Sequence, residues 1–425
     1  MITIVGLGEK RGDVTRRGES AIREASKVFL RTALTETAHS LDDLGVKYIS
    51  FDELYEGADS FDALNNAICE RLIEESRDSS VCYCVDGSGL GDGSVEALLQ
   101  RTDAVLVPGV GSESTLVVGR GATSYTVYSA YDFVEHPAVN RHLTTVIKDV
   151  DGAFLAGEIK LLLIDLVGED EDVLFFKGDD VRGVKVSELD RQEYSYDTGV
   201  IIPTASLTEK KRWGFDDLIE ILVKLRSENG CPWDREQTHQ SIRKNLIEEA
   251  YELAEGIDRD DIDMMEEETG DVLLQAAFHA EIGSESGEFS VTDVLTRLCD
   301  KLISRHEHVF GDVVARSGEE ALSVWENAKK KEKRTANASE AVHKIAVTLP
   351  ALMRAAKVIK IALKDGVQGV QFDDADLRRM VDEGRYADLL FAVVCRMRIG
   401  GEDAEEALAK RLSELERRID EKYGV

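Results

Sequence analysis

Short apolar runs alternate with amphipathic segments over the first half of the chain. The runs that predict strands are Ile2 to Val5, Val81 to Val85, Ala104 to Val107 and Leu161 to Val167. Between the first two runs, Arg17 to Leu30 and Phe61 to Ser76 have the apolar spacing of helices. Parallel strands need crossover segments of this kind, so the pattern predicts an α/β domain over residues 1–203.

Helical spacing takes over from Phe215, and strand-like runs almost vanish. We therefore place a domain boundary between residues 203 and 215. A basic stretch, Lys329 to Arg334, and a polar one, Thr335 to Glu340, precede a further helical region. The pattern predicts an α/β domain over 1–203, an all-α domain over 215–334 and a helical domain over 335–425. The length of 425 residues agrees, because one hydrophobic core seldom serves so long a chain.

Composition narrows the class of protein. Hydrophobic residues make up 43% of the chain and charged residues 32%, as in folded soluble proteins. The 83 acidic residues against 52 basic ones give a formal net charge of -31, which would repel a phosphate backbone over most of the surface. We therefore expect no nucleic-acid partner, and we interpret most of the charge as a solvated acidic surface.

The cysteines and the first residues of the chain indicate the cellular compartment. The six cysteines show neither a zinc-binding spacing nor a disulfide framework. The chain runs from Met1 directly into an apolar strand without a basic leader, and it contains no uncharged stretch of eighteen residues. We expect a cytoplasmic protein with no membrane partner.

Two clusters of carboxylates carry the candidate chemistry. Helical spacing brings to one side Glu248, Glu249 and Glu252 in the first cluster, and Glu268 and Asp271 in the second. Between them, Gly256 predicts a helix stop and the Asp-rich segment that ends at Asp261 predicts a new start. The two clusters would then face each other across an antiparallel helical hairpin.

Carboxylates this close repel one another unless a hard divalent cation lies among them, and oxygen-only ligation suits Mg²⁺ or Mn²⁺. The alternative is that the acids form the solvated face of an amphipathic hairpin. Two features favour the metal site. Lys and Arg are lacking at four-residue offsets, and the second helix continues as an apolar run to Phe278.

Basic residues occur further along the chain. Lys301 and Arg305 are four residues apart, and Lys329 follows Trp325 by four residues. They are candidates for binding an anion. Carboxylate-bound Mg²⁺ together with cationic side chains is the equipment for hydrolysing a polyphosphate. The sequence contains no P-loop motif, so a P-loop mechanism is excluded.

Several motifs follow one another along this part of the chain. They are Gly230-Cys231-Pro232-Trp233-Asp234 with His239, Glu248-Glu249-x-x-Glu252, Glu268-x-x-Asp271, Arg305-His306-Glu307-His308 with Asp312, and Trp325-Glu326. In this order the motifs closely resemble the MazG nucleotide pyrophosphohydrolases, over roughly residues 215–334. The resemblance implies an all-α fold. It also implies Mg²⁺-dependent cleavage of nucleoside triphosphates to monophosphate and pyrophosphate, a housecleaning reaction of the nucleotide pool.

The resemblance also implies residue roles. The implied metal ligands are Glu249, Glu252, Glu268 and Asp271, with Mn²⁺ as the alternative ion and Glu248 as a further acidic partner that orients water. The implied nucleotide contacts are Lys301, Arg305 and Lys329 to phosphate and Trp325 against the nucleotide. We expect activated water to attack the α-phosphorus with pyrophosphate leaving, and the sequence leaves open which carboxylate is the base. We interpret His279, His306 and His308 as structural.

Glycine-rich turns follow three predicted strands of the first domain. They are Gly6-Leu7-Gly8 with Gly12, Gly87-Ser88-Gly89, and Gly109-Val110-Gly111-Ser112. They resemble the tetrapyrrole methylase fold over residues 1–203, and bacterial proteins that fuse this fold ahead of MazG share the domain order. The resemblance implies an S-adenosylmethionine pocket that includes Gly6, Gly8, Gly87 and Gly109.

Two of these turns differ from the methylase pattern. Gly8-Glu9-Lys10-Arg11-Gly12 replaces the opening glycine-proline-glycine, and Gly87-Ser88-Gly89 replaces a Gly-Asp/His-Pro turn. Proline fixes φ, and these loops shape the cofactor pocket. A domain that keeps the fold without methylating anything therefore stands beside a working methyltransferase as an interpretation.

The C-terminal region resembles a second, repeated MazG unit, through Leu349-Pro350-Ala351-Leu352 and Asp388-Leu389-Leu390-Phe391. Asp388 matches the aspartate of Glu-x-x-Asp, but Arg385 replaces the glutamate and the Glu-Glu-x-x-Glu helix is missing. We interpret the region as a degenerate unit for packing or dimerisation and expect a homodimer. The leading hypothesis is a nucleoside triphosphate pyrophosphohydrolase. The alternatives are an S-adenosylmethionine-dependent methyltransferase on 1–203 and a non-catalytic regulatory scaffold.

Overall fold

The computed structural model describes residues 1–58, 60–111, 116–117, 124–195, 197–332 and 337–424. The chain divides into two compact units, residues 1–286 and 287–425. Ser112 of the third glycine turn and the expected boundary between residues 334 and 335 lie outside the described residues.

The first unit opens with a parallel sheet. Its strands are β1 (Ile2–Gly6), β2 (Lys27–Leu30), β3 (Ile49–Ser50), β4 (Val81–Val85) and β5 (Val105–Val107), in the order β3-β2-β4-β1-β5. The helices of this part are α1 (Arg16–Glu24), α2 (His39–Asp43), α3 (Asp52–Gly57), α4 (Phe61–Glu75) and α5 (Gly93–Arg101). The strand β4 is buried along its whole length, as expected for a strand in the middle of a parallel sheet covered by helices.

A second sheet follows and is mostly antiparallel. Its strands are β6 (Tyr125–Ser129), β7 (Thr144–Lys148), β8 (Asp172–Lys177), β9 (Asp180–Lys185) and β10 (Thr198–Ile202), in the order β6-β7-β10-β8-β9. Only the β6 and β7 pair is parallel among these described strands. The helices α6 (Ala130–Glu135) and α7 (Ala153–Val167) belong to this part, and α7 contributes to its core.

Two predictions in this region are wrong. Leu161 to Val167, predicted as a strand, is the second half of α7, because Ile159, Leu163 and Val167 recur every four residues on its buried face. Leu161 itself is 63% exposed. The helix predicted over Arg17 to Leu30 ends at Glu24, and its last four residues form β2 inside the sheet. The other three strands and the helix from Phe61 are confirmed.

The rest of the first unit is helical. Its helices are α8 (Phe215–Arg226), α9 (Pro232–Glu236), α10 (Arg243–Arg259) and α11 (Ile262–Glu285). They share a small core of Leu222, Ile242, Ala277 and Phe278. The apolar continuation predicted for the second helix of the hairpin is thus the face that packs into this core.

The predicted hairpin is formed by α10 and α11, but its turn is not at Gly256. That residue lies within α10, and the chain turns at Asp260, whose φ of 55° is left-handed. Asp261 caps α11 by accepting a hydrogen bond from the Met264 amide at 3.1 Å. A Cβ on Gly256 would lie 3.2 Å from the backbone nitrogen of Met265, so glycine there allows the two helices to approach closely.

The second unit is helical throughout its described residues. Its helices are α12 (Val291–Arg305), α13 (Glu307–Phe310), α14 (Gly318–Glu332), α15 (Ala338–His343), α16 (Ala351–Lys364), α17 (Asp374–Asp382), α18 (Tyr386–Gly400) and α19 (Ala404–Tyr423). Ile359, Val370, Val394, Cys395 and Ala404 form its core. The fold is therefore an α/β region followed by helices, as predicted. Among the helices described, none is both long and apolar enough to cross a membrane.

Candidate metal centre

Three of the predicted carboxylates meet between α10 and α11. Glu249 and Glu252 lie one turn apart on α10, and Glu268 faces them from α11. One carboxylate oxygen from each lies within 4.8 Å of the other two. The short connection at Asp260 and Asp261 makes the helices antiparallel neighbours, so residues about equally far from the turn come together.

The negative charges of this cluster repel one another and raise the pKa of two of its glutamates. The pKa of Glu249 is raised, first by burial, then by its hydrogen bond with Glu252 and by the charges of Asp271, Glu252 and Glu268. Burial, followed by the charges of Glu252, Asp271 and Glu267, raises the pKa of Glu268. Asp271 lies one turn after Glu268 and therefore acts on both glutamates through its charge.

One atom of the cluster points to a ligand. Oε2 of Glu268 is closed off from solvent and has no hydrogen-bond partner among the described residues, although the residue as a whole is partly exposed. Leaving a buried carboxylate oxygen unpaired is costly. A hard divalent cation would satisfy that oxygen and neutralise the mutual repulsion, so the donor set fits Mg²⁺ or Mn²⁺.

Glu248 is not one of the three carboxylates that meet. Its Oε1 accepts from Lys244 Nζ at 2.7 Å, within one turn of α10, and its side chain is half exposed. The expectation that these acids lack basic partners at four-residue offsets is therefore wrong for Glu248. The same expectation is confirmed for Glu249, Glu252 and Glu268, because none of them forms an ion pair with a described residue.

A separate cluster of cations lies in the second unit. Arg305 on α12 and Lys329 on α14 both contact the indole of Trp325, with the Arg305 guanidinium carbon 5.4 Å and Lys329 Nζ 4.4 Å from the ring centroid. Lys301 is exposed and lies one turn before Arg305. The structure thus joins three of the four residues predicted to bind the nucleotide.

The histidines show one pairing that spacing along the chain could not reveal. His239 and His279, forty residues apart, bring their Nδ1 atoms to 2.7 Å with the rings nearly parallel. His279 therefore has a polar partner in His239. His306 Nδ1 lies 2.7 Å from the carbonyl oxygen of Leu302, which agrees with a structural histidine at the end of α12.

The C-terminal helices have an ion pair at the positions that the sequence analysis compared with Glu-x-x-Asp. Arg385 Nε donates to Asp388 Oδ2 at 2.8 Å, and its NH1 donates to Glu383 at 3.2 Å. The guanidinium neutralises Asp388 from within the chain, so these residues do not fit a cation site.

The four glycines of the first domain pack against the chain's own atoms. A Cβ on Gly6 or on Gly109 would lie less than 3.0 Å from the carbonyl oxygen of Gly87. Gly8 and Gly87 are both left-handed, bridge each other through their backbones, and face the side chains of Asp13 and Glu9. These contacts account for each glycine through packing within the chain.

Comparison with known proteins gives matches in both halves of the chain. Residues 237–310 match the family described as the MazG nucleotide pyrophosphohydrolase domain. Over 376 residues the chain is 34% identical to the uncharacterized protein YabN of Bacillus subtilis, covering 84% of this chain and 76% of that protein. Over 209 residues it is 41% identical to the nucleoside triphosphate pyrophosphohydrolase/pyrophosphatase MazG of Thermotoga maritima, covering 46% of this chain and 80% of that protein.

A solved structure also shows similarity. The precorrin-6Y methylase of cobalamin biosynthesis from Archaeoglobus fulgidus aligns with 48% of this chain and 99% of its own, at 18% identity and a TM-score of 0.37.

Proposed function

The chain belongs to the MazG family of nucleotide pyrophosphohydrolases, and from this membership we propose that it hydrolyses nucleoside triphosphates to monophosphate and pyrophosphate with Mg²⁺. The 237–310 match contains the whole carboxylate hairpin. The family is one of enzymes, and the chain is assigned to the class of hydrolases that act on acid anhydrides. The physiological role proposed is housecleaning of the nucleotide pool.

The observation that carries the proposal is the meeting of Glu249, Glu252 and Glu268 with an unpaired, solvent-shielded oxygen on Glu268. Together with Asp271 these side chains would hold Mg²⁺, or Mn²⁺ in its place. Bound there, the ion would lower the pKa of a water molecule and neutralise charge on the phosphates. The raised pKa of Glu249 and of Glu268 would return to the ordinary range once a cation compensates their charges.

The cations of the second unit are proposed to bind the phosphates. Arg305 and Lys329 both rest on Trp325, and Lys301 extends the same basic helix face. A planar guanidinium and an ammonium held by one ring suit a polyphosphate chain that carries several charged oxygens. The indole already contacts both cations, so we propose that Trp325 supports the phosphate contacts in addition to lying near the nucleotide.

We also propose a homodimer. The helix α19 carries Leu408, Leu412, Leu415 and Ile419 at alternating four- and three-residue steps, and each is about half exposed. An apolar stripe with this spacing is the kind of surface that pairs with another helix. Replacing Leu412 with Glu should change the mass in solution from that of a dimer to that of a monomer. A wild-type protein that already has the mass of a monomer would refute the dimer.

Methyl transfer is not proposed for residues 1–203, because two of its glycine turns differ from the methylase pattern. The cytoplasmic location stays a prediction. A non-catalytic scaffold remains the competing account. It predicts no stabilisation by divalent cations, whereas a bound ion raises the melting temperature through linkage.

Products distinguish these accounts. The purified chain is incubated with each common nucleoside triphosphate and Mg²⁺ in water labelled with heavy oxygen, and the products are separated. The proposal predicts monophosphate and pyrophosphate in equal amounts, with the label in the monophosphate because water attacks the α-phosphorus. Diphosphate with orthophosphate would refute the assigned reaction, and the absence of any product would favour the scaffold.

A further inference from the structure

The two histidines at the open end of the hairpin form a direct contact. His239 lies just before α10 and His279 lies on α11, with 2.7 Å between their Nδ1 atoms. The ring planes differ by 11° and the centroids are 5.0 Å apart. Both side chains are partly buried. This geometry is that of a hydrogen bond between two imidazoles.

A hydrogen bond between two ring nitrogens fixes their protonation. One Nδ1 must carry the proton and the other must offer its lone pair, so both rings cannot be charged while the contact lasts. The pKa of His279 is lowered accordingly, first by burial and then by the charge of His239. The contact is incompatible with a doubly protonated pair.

The position of the pair matters for the carboxylates. The turn at Asp260 and Asp261 joins α10 and α11 at one end, whereas the histidines join them at the other. His279 lies eight residues beyond Asp271, which is about 12 Å along the helix. The carboxylate cluster thus lies between two connections, and the pair is too far away to bind the same ion.

Arg226 also connects the two sides of this end of the hairpin. Arg226 on α8 donates to both carboxylate oxygens of Glu285 at 2.8 Å and 2.6 Å and to the carbonyl oxygen of Gln237 at 3.2 Å. Its guanidinium lies 5.3 Å from the ring of Phe278. The charged groups at this end include Arg226, its partner Glu285, and Glu281, which also lies on α11.

We propose that the hydrogen bond between His239 and His279 is a latch that positions the carboxylates of α10 against those of α11 for cation binding. The turn fixes the helices at one end. At the other end the histidine contact adds to the packing of Ile242 against Ala277 and Phe278, and a small opening there would separate Glu249 and Glu252 from Glu268. Both histidines are positioning residues, because they act through the helices. The inference rests on the proposed function in so far as the hairpin is the cation site.

The latch also predicts a response to acid. When the accepting Nδ1 takes up a proton, it can no longer accept, and the contact opens. The affinity for the cation should then fall more steeply with decreasing pH than protonation of the carboxylates alone requires. A side chain that keeps the hydrogen bond without titrating would remove this additional slope.

The test compares three full-length variants by calorimetric titration with Mn²⁺. His279→Phe keeps a ring but removes the hydrogen bond, and His279→Asn can place an amide near the Nδ1 position without titrating. His136→Asn, at an exposed histidine outside the hairpin, is the control. His279→Phe should bind Mn²⁺ about fivefold more weakly at neutral pH, the equivalent of one neutral hydrogen bond.

The same titrations supply the outcome that overturns the latch. His279→Asn should match the wild type within about twofold at neutral pH and lose less affinity than the wild type on acidification, and His136→Asn should behave as the wild type. A folded His279→Phe that binds Mn²⁺ as tightly as the wild type would refute the latch, as would a His279→Asn with the wild-type pH dependence. If His279→Phe fails to fold, the second comparison decides. A wild type that binds no Mn²⁺ would instead refute the proposed function.

Discussion

Arg385 donates to the carboxylate of Asp388 at 2.8 Å, one turn apart at the start of α18. In α11 the same spacing joins two acids, Glu268 and Asp271, and the pKa of Glu268 is raised partly by the charge of Asp271. In α18 a base precedes the aspartate at this spacing, and Asp388 has a partner within the chain. The hairpin in the first unit has no such internal partner for Glu268 Oε2 among the described residues.

This contrast predicts where the divalent cation binds. Asp271→Asn removes one charge from the cluster and should weaken Mn²⁺ binding by at least about tenfold. Asp388→Asn removes only a partner of Arg385 and should leave the affinity and the number of bound ions unchanged. Calorimetric titration of both variants checks this. Equal losses in the two variants would mean that the cation does not bind at the hairpin.

Neighbouring glutamates of α10 should differ in their effect on the reaction. Glu249→Gln removes a member of the three-oxygen cluster and should lower the rate of pyrophosphate release by roughly 100-fold. Glu248→Gln removes an exposed ion pair with Lys244, and such pairs contribute about 0.5 kcal/mol or less to stability. Its rate should therefore stay within a few-fold of the wild type. A Glu248→Gln variant as impaired as Glu249→Gln would place Glu248 in the catalytic machinery.

The raised pKa values predict how the cation-free protein responds to pH. A carboxyl group whose pKa is raised in the folded state opposes folding when it is ionised, and this cost disappears as the pH falls through the raised pKa. Without divalent ions, Glu249→Gln should therefore melt at a higher temperature than the wild type at about pH 8, and the difference should shrink towards about pH 5. Scanning calorimetry in a chelating buffer measures it. A difference that grows on acidification would contradict the assigned direction.

Two glycines of the first unit should respond oppositely to alanine. Gly109→Ala would force a Cβ against the carbonyl oxygen of Gly87 and should lower the free energy of unfolding by about 2 kcal/mol. Gly157 lies inside α7 with nothing within 4 Å of a Cβ, so Gly157→Ala should raise it by about 0.5 kcal/mol or more. Denaturant unfolding of both variants gives the comparison. A neutral Gly109→Ala would show that the neighbouring backbone moves to accept the Cβ and would contradict the prediction.

The carboxylate hairpin could be predicted from the sequence because its determinants are local. Glu249 and Glu252 are one turn apart, and a short polar turn brings Glu268 beside them. Local spacing also gives one wrong prediction of secondary structure. Leu161 to Val167 is a continuous apolar run, which a buried strand and a buried helix share, and only the four-residue recurrence of Ile159, Leu163 and Val167 distinguishes them.

Other features depend on the folded structure. The contact of His239 with His279 joins residues forty positions apart, and the helical spacing of the sequence does not predict it. The sequence predicts that Gly256 ends a helix, whereas in the structure its missing side chain allows α11 to approach closely. That approach depends on the tertiary packing and leaves no local signal in the sequence. The partner of Glu248, in contrast, could have been found, because Lys244 stands at the four-residue offset in the sequence itself.

The most direct test of the central claim measures pyrophosphate release from a nucleoside triphosphate by the wild type, Asp271→Asn and Asp388→Asn, with and without Mg²⁺. The account predicts release that requires the ion, falls by roughly 100-fold in Asp271→Asn, and is unchanged in Asp388→Asn. Release by Asp271→Asn at the wild-type rate, or release by the wild type without any divalent ion, would contradict it.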